Sequence, residues 1–253
     1  MENLSIKNLH MNFSGVHALD GVTFEVKEGE IFSLIGANGS GKSTLFNCIN
    51  RYCVPEKGSI HYAKKNILDL FPHQIAELGI ARTFQNLQNV PYMTLLENVL
   101  LGAHKRLSNT DLVRRWFSRK ERLKEETMAL EVMSFLGIDN FEAKFLSGQP
   151  YAIQKLVEIA RALISKPKLI LLDEPAAGMN DQETLEISKI ILEIRDILGI
   201  TVLLVEHDMN LVMKISDRIC VLDSGRIIAL GNPDKVKNNP DVVRSYLGDN
   251  GNA

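Results

Sequence analysis

The chain has 253 residues, enough for one large or two modest domains, and 45% of them are hydrophobic, as in an ordinary packed protein. Its formal net charge of -2 excludes the broad positive field of nucleic-acid-binding proteins, so we expect no nucleic-acid partner. The 3 cysteines lack the spacing of a metal site, which favours buried thiols in a reducing cytoplasm. Because we find neither a signal-peptide pattern nor a stretch of about 18 uncharged apolar residues, we expect the chain neither to cross a membrane nor to be exported.

The residues before position 31 show a short alternation of apolar and polar side chains, which is clearest at 22–26. This alternation predicts an antiparallel sheet that leads into a buried strand at 31–35. Phe13 lies within the alternating region. Its ring could stack on an adenine ring or could simply pack in the core, and both interpretations stay open.

A glycine-rich segment follows the buried strand and leads into a helix, which is the order required for a phosphate-binding loop. Its glycines let successive main-chain N–H groups point inward, and the helix adds the positive end of its dipole. We expect Lys42 to reach the β- and γ-phosphates of a nucleotide, and the Ser43 hydroxyl to bind Mg²⁺. The predicted phosphate-contacting residues are Gly36, Ala37, Asn38, Gly39, Ser40, Gly41, Lys42, Ser43 and Thr44.

A polar side chain, Gln85, ends the strand predicted from residue 79 onwards. In a nucleotide-binding chain, an amide at such a place could hold a Mg²⁺ ligand position or orient the attacking water. As a loop residue it could equally have no role. The residues alone leave both alternatives open.

Eight basic residues and two acidic ones lie between Lys105 and Lys124, around Trp116 and Phe117. A solvated helical face is the simplest explanation of this basic segment. The alternative is a surface near anionic headgroups or a membrane partner. There each basic side chain gains about 1 kcal/mol, and aromatic rings favour the interface.

Two carboxylates follow the apolar run that ends at Leu172, and this run predicts a buried strand. In a chain that has a phosphate-binding loop, Asp173 is expected to hold Mg²⁺ through its water shell. Glu174 is expected to act as the general base for the attacking water. One carboxylate for the metal and one for the proton are the minimum for hydrolysis.

His207 follows a third apolar strand, predicted at 201–205. It is expected to leave the sheet at the same edge as Asp173 and the glycine loop. There it could donate a hydrogen bond to the γ-phosphate. A lone histidine at a strand end is more often structural, but the neighbouring motifs favour the functional role.

Five features, in this order and spacing, resemble the ATPase subunit of an ATP-binding cassette (ABC) transporter. They are the glycine loop at 36–44, Gln85, the helix ending in Ala160-Arg161-Ala162-Leu163, the strand ending in Asp173-Glu174-Pro175, and His207. Residues 82–86, 173–180 and 205–209, together with the basic segment, are similar to the LivG type, which serves importers of branched-chain amino acids. The resemblance covers essentially the whole chain.

The resemblance implies an α/β fold. This is the ABC-type P-loop NTPase fold, with a mixed core sheet, an N-terminal antiparallel β subdomain and an α-helical signature subdomain. Residues 1–253 would form a single ABC ATPase domain. Its helical subdomain, roughly 86–165, would be inserted between the phosphate loop and the strand that carries Asp173 and Glu174.

The resemblance also implies roles and partners. Phe13 would stack on adenine, Gln85 and Asp173 would contact Mg²⁺, Glu174 would be the base, and His207 would contact the γ-phosphate. Two ATPase subunits would enclose two ATP molecules, each between one subunit's phosphate loop and the other's signature segment. Their closure would drive two membrane permease subunits, which a periplasmic or surface binding protein supplies with substrate. ATP and Mg²⁺ are therefore the implied cofactors, and the implied location is the cytoplasmic face of the cell membrane.

The signature segment departs from the family's pattern. Leu146-Ser147-Gly148-Gln149 is similar to the usual Leu-Ser-Gly-Gly-Gln, but it lies about four residues too early relative to the following helix. When the chain is aligned without gaps from the following helix, Gln149 and the four residues after it occupy the position of the signature motif. The predicted contacts to the partner's ATP are therefore Pro150, Tyr151, Ala152 and Ile153.

Ala152 stands where relatives have a glycine, and its methyl group would crowd the γ-phosphate. The hypothesis is that the ATP site formed with this segment is weak. The alternative is that Ala152 is tolerated at this position, and both stay open. If the site is weak, a copy of the same chain as partner would give two weak sites, so a different, LivF-like ATPase is favoured over a homodimer.

Other functions stay open on the residues alone. The chain could serve a related importer of urea or short amides, or a lipopolysaccharide exporter. It could also be a catalytically weak regulatory ATP-binding subunit, although the presence of Glu174 and His207 argues against this. In such an importer the binding protein and the permeases select the substrate, and the ATPase supplies the energy.

Overall fold

The computed structural model describes residues 2–13, 15–83, 88–106 and 119–247. It divides into two compact units. The first consists of Met1–Leu78 and Ile191–Ala253, and the second of Gly79–Ile190.

The described residues form strands and helices in the following order along the chain. The strands are β1 (Glu2–Phe13), β2 (Val16–Lys27), β3 (Ile31–Ile35), β4 (Lys57–Tyr62), β5 (Lys65–Asn66), β6 (Ile80–Arg82), β7 (Leu169–Asp173), β8 (Thr201–Val205), β9 (Arg218–Asp223) and β10 (Arg226–Gly231). The helices are α1 (Lys42–Ile49), α2 (Pro72–Glu77), α3 (Leu95–Leu100), α4 (Arg119–Phe135), α5 (Tyr151–Leu163), α6 (Asp181–Asp196), α7 (Met209–Ile215), α8 (Pro233–Lys237) and α9 (Pro240–Leu247). Short 3₁₀ turns lie at Ile67–Asp69, Leu101–Arg106 and Asp139–Phe141.

An antiparallel sheet with the order β2-β1-β4-β5 lies in the first unit. Alternate side chains in the second half of β2, Val22, Phe24 and Val26, are buried, and β1 buries Leu4 and Ile6. This is the pattern of a sheet with one face on the core. The predicted antiparallel sheet is therefore present, and its second strand is longer than the clearest alternation at 22–26 indicated.

A second sheet in the first unit has β3 between β8 and β9, parallel to both, with β10 antiparallel to β9. All residues of β3 and β8 are buried. Parallel strands covered on both faces have continuous apolar sequences, which explains why neither strand alternates.

The second unit contains the parallel pair β6 and β7 and three helices that pack on one another, α3, α4 and α5. Apolar side chains from all three helices are buried, including Val99, Met133 and Val157. Thr94 and Glu97 form a capping box at the start of α3, since each side chain accepts a hydrogen bond from the other residue's main-chain N–H.

Two helix boundaries differ from the sequence-based expectation. The sequence predicts that helix α1 reaches about Arg51, but the helix ends at Ile49 because Arg51 has a left-handed backbone with φ 63°. The apolar spacing also predicts a helix from Gln154 onwards. Helix α5 begins earlier, at Tyr151, because Pro150 serves as the residue before the first turn and its carbonyl accepts the N–H of Gln154.

Candidate nucleotide site

The glycine loop between β3 and α1 packs so closely against neighbouring backbone that two of its positions require glycine. A Cβ atom on Gly36 would lie 2.2 Å from the carbonyl oxygen of Leu222, and one on Gly41 would lie 2.4 Å from that of Ala18. Gly41 also has φ 108°, which side chains rarely adopt. Glycine at these two positions therefore lets the main chain of the loop pack directly against the main chain at Leu222 and Ala18.

Lys42 is the first residue of α1 and is 5% exposed. Its Nζ donates hydrogen bonds to the carbonyl oxygens of Gly36 at 2.8 Å and Ala37 at 2.9 Å. The ammonium group thus lies inside the loop, and its charge is partnered by main-chain oxygens.

The outer part of the loop faces solvent. Ala37, Asn38 and Gly39 are exposed, as is Ser43 in the first turn of α1. A helix N-terminus presents main-chain N–H groups and the positive end of the helix dipole, so this surface suits an anion.

Phe13 lies at the end of β1 and pairs with Val16 at the start of β2. It is 46% exposed, so it is not a core residue. The same hairpin contacts the glycine loop through Ala18, which packs against Gly41. An exposed aromatic ring therefore stands on the strand pair that borders the loop.

His207 leaves the parallel sheet at the edge where the glycine loop begins. Val205 pairs with Leu34 in neighbouring parallel strands, so the residues that follow each of them emerge at the same edge. The His207 side chain is exposed, and its main-chain N–H donates to the buried Glu206 carboxylate at 3.0 Å. Asp208 caps helix α7, accepting the N–H groups of Asn210 and Leu211, which fixes the chain after His207.

Asp173, in the second unit, is the last residue of β7 and is 3% exposed. Its Oδ2 accepts a hydrogen bond from Arg82 Nη2 at 2.9 Å, and its main-chain N–H donates to Thr83 Oγ1 at 3.2 Å. The sequence places Arg82 within a family motif but indicates no role for its side chain. The two partners are 91 positions apart in the chain, and no local pattern links them.

Glu174 follows Asp173 with φ 50°, which is unusual for a residue with a side chain. Its side chain is half-buried. Residues held in such a backbone conformation cluster at functional sites, where surrounding structure maintains them.

The predicted signature contacts lie at the start of α5. Pro150 precedes the helix, and Tyr151, Ala152 and Ile153 form its first turn. Tyr151 is 43% exposed, and its Cε1 atom would lie 3.7 Å from a Cβ placed on Gly178. The alternative match, residues 146–149, lies in the turn before the helix.

Two features predicted from the sequence fall partly or wholly outside the described residues. Gln85 is one of them, within 84–87. Most of the basic segment is the other, since residues 107–118 are not described. Their predicted roles remain predictions.

The cysteines differ in exposure. Cys48 and Cys220 are buried, and burial raises the pKa of each thiol to about 12. In the described parts of the chain, no three histidine, cysteine or acidic side chains are grouped so that they could hold a metal ion. None of the described helices is both long and apolar enough to span a membrane.

Comparison with known proteins identifies the family. A family model described as ABC transporter matches residues 19–177. The chain belongs to the ABC transporter ATP-binding family. A further model, described as branched-chain amino acid ATP-binding cassette transporter, matches residues 226–251.

Relatives and solved structures agree with this ABC assignment. The chain is 41% identical to the high-affinity branched-chain amino acid transport ATP-binding protein LivG of Salmonella typhimurium, over 97% of this chain and 98% of that protein. The ADP conformation of an ATP-binding cassette of an ABC transporter superposes with a TM-score of 0.86 at 34% identity, covering 98% of this chain and 99% of that one. A dimeric post-hydrolysis cassette bound to ADP and Pi has a TM-score of 0.75 at 28% identity, covering 91% and 98%.

These matches confirm the family resemblance, the fold class and the prediction that this ABC chain is an ATPase. They make ATP its nucleotide and place it among the ATP-binding subunits of ABC transporters.

Proposed function

We propose that this ABC ATPase hydrolyses ATP to energise the import of branched-chain amino acids through membrane permease subunits. The observation that carries the proposal is the 41% identity to LivG along nearly the whole of both chains. The match of residues 226–251 to the branched-chain family model supports the same substrate class from a separate part of the sequence.

ATP binds at the glycine loop in this proposal. The exposed loop residues and the first turn of α1 donate main-chain N–H groups to the phosphates. Lys42 exchanges its bonds with the carbonyl oxygens of Gly36 and Ala37 for bonds to the β- and γ-phosphates, which its flexible stem permits. The exposed ring of Phe13 stacks on the adenine.

Ser43, Asp173 and Gln85 would hold Mg²⁺. The donor chemistry fits, because Mg²⁺ prefers oxygen ligands and is usually bound by one or two protein groups together with substrate phosphates. The exposed Ser43 hydroxyl and the Arg82-paired carboxylate of Asp173 are ligands of this kind. When bound, the ion neutralises the charge that develops on the transferred phosphate.

Glu174 takes the proton of the attacking water, and His207 donates a hydrogen bond to the γ-phosphate. The unusual backbone of Glu174 and the exposure of His207 support these roles.

The functional assembly contains a second ATPase subunit, two permease subunits and, indirectly, a substrate-binding protein, and it contains no nucleic acid. Residues 150–153 contact the ATP held by the partner's phosphate loop. The second ATPase is a LivF-like chain, since a homodimer would carry Ala152 at both sites. Such an assembly places this chain at the cytoplasmic face of the cell membrane.

Uptake of labelled leucine tests the proposed function. Cells that lack this chain are complemented with the native protein, with Glu174→Gln or with Glu193→Gln, an exposed glutamate used as the matched control. We expect native protein and the control to restore uptake and Glu174→Gln to fail. If no variant changes leucine uptake although the protein co-purifies with membranes, the branched-chain assignment is wrong. Urea and short-amide uptake and lipopolysaccharide export are then tested in the same strains.

A further inference from the structure

Arg82 and Asp173 form a buried ion pair in the second unit. Arg82 Nη2 lies 2.9 Å from Asp173 Oδ2, and the side chains are only 8% and 4% exposed. A hydrogen bond between two ionised groups at this distance is short and directional, so it fixes the side-chain torsions of both partners. The bond engages one oxygen of the carboxylate.

The backbone around this pair is held independently of it. β6 and β7 are parallel with Arg82 beside Leu171, and the Thr83 N–H donates to the carbonyl oxygen of Leu171 at 2.9 Å. The Thr83 hydroxyl accepts the main-chain N–H of Asp173 at 3.2 Å. Since main-chain contacts already place the Asp173 backbone, the guanidinium of Arg82 acts on the remaining freedom, which is the direction of the carboxylate.

Burial increases the importance of this contact. A carboxylate that is almost out of contact with water needs a counter-ion and hydrogen-bond donors as partners. Arg82 supplies both to Asp173 Oδ2, which leaves the carboxylate with one defined direction.

We propose that Arg82 is a positioning residue that sets the affinity of Asp173 for the nucleotide-bound divalent cation. By holding Oδ2, it would leave Oδ1 as the carboxylate oxygen for the water shell of a bound cation. The inference rests on the metal role of Asp173 in the proposed function. Partners that orient metal-binding groups typically contribute about 10- to 100-fold to metal affinity.

The test measures Mn²⁺ binding to the full chain in the presence of ADP, by electron paramagnetic resonance of the free ion. The variants are Arg82→Met, Arg82→Lys and Asp173→Asn. Arg218→Met is the matched control, because Arg218 also pairs with a largely buried carboxylate, that of Glu30, at 3.1 Å. Thermal unfolding without nucleotide is recorded for each variant, so that loss of stability is separated from loss of metal affinity.

We expect Arg82→Met to bind Mn²⁺ about 10- to 100-fold more weakly than the native chain. Arg82→Lys should lie between them, because lysine keeps the charge and loses the planar donor geometry. Arg218→Met should unfold at a lower temperature with unchanged Mn²⁺ affinity. If Arg82→Met does not fold, Arg82→Gln replaces it with the same expectation.

An Mn²⁺ affinity of Arg82→Met, or of its replacement, within about twofold of the native value would overturn the proposal, since it lies far from the expected loss. An equal loss of affinity in Arg218→Met would also overturn it, because the effect would then be general destabilisation. If Asp173→Asn binds Mn²⁺ as tightly as the native chain, the metal role of Asp173 fails. That result contradicts the proposed function itself and is distinguishable from a failure of Arg82 alone.

Discussion

Gly41 packs against the main chain of Ala18 so closely that a Cβ on Gly41 would lie 2.4 Å from the Ala18 carbonyl oxygen. This contact joins strand β2 of the antiparallel sheet to the residue just before helix α1. The position of the phosphate loop therefore depends on a strand that precedes it in the chain.

Gly41→Ala tests this dependence. The variant adds a steric clash to the strain of a positive φ, whereas Gly39→Ala has φ 81° and open space around the new methyl group. Strain alone costs about 1 to 3 kcal/mol, and overpacking adds about 1 to 3 kcal/mol. We expect Gly41→Ala to lower the free energy of unfolding, measured in urea, by at least about 1 kcal/mol more than Gly39→Ala does. Equal losses in the two variants would show that the contact with Ala18 is not restrictive.

Glu174→Gln is expected to retain ATP binding and to lose hydrolysis. The amide keeps the shape of the side chain but cannot accept the proton of the attacking water, and removal of a general base typically costs about 10² to 10⁴ in rate. Steady-state ATPase assays on the assembled complex, with fluorescent-nucleotide binding on the isolated chain, measure the two properties. A variant with native ATPase activity would exclude Glu174 as the base.

Ala152→Gly is expected to raise the ATPase rate of the assembled complex. Ala152 is half-buried in the first turn of α5. In the proposed assembly its methyl group would limit the approach of the partner's ATP phosphate to the helix N-terminus. Loss of one well-aimed donor costs about 10² to 10³ in rate in other enzymes, so recovery of such a contact should be readily measured. Ala152→Ser, with a larger side chain, should give no increase. An unchanged rate in Ala152→Gly would remove the argument for an asymmetric pair of sites.

The three thiols are expected to react in two groups. Cys53 is partly exposed and should react with a thiol reagent in the native chain, whereas Cys48 and Cys220 should react only after unfolding. Burial raises the pKa of the two buried thiols from the ordinary 9.0 to about 12, so the folded chain holds these protons more tightly than the unfolded chain. Their contribution to stability is therefore complete below about pH 9 and is lost as the pH rises towards about 12. Counting reacted thiols by mass spectrometry, with and without urea, checks the grouping. Rapid native labelling of Cys220 would contradict it.

The local elements were the most predictable part of the fold. The capping box of Thr94 and Glu97 and the order of strand, glycine loop and helix around Lys42 depend on residues that are close in the chain. Helix ends were less predictable. The left-handed backbone of Arg51 ends α1 two residues early, and no residue type at that position signals it.

The sequence by itself determined the phosphate loop and indicated Asp173, Glu174 and His207 as its candidate partners, because each lies at or just beyond the end of an apolar strand and carries its own chemistry. Only the tertiary structure decided that Phe13 is exposed and that Arg82 is the counter-ion of Asp173. The physical reason is separation along the chain. The pairing of β6 and β7 brings Arg82 beside Asp173 from 91 positions away in the chain. No periodicity or motif near Asp173 indicates this partner.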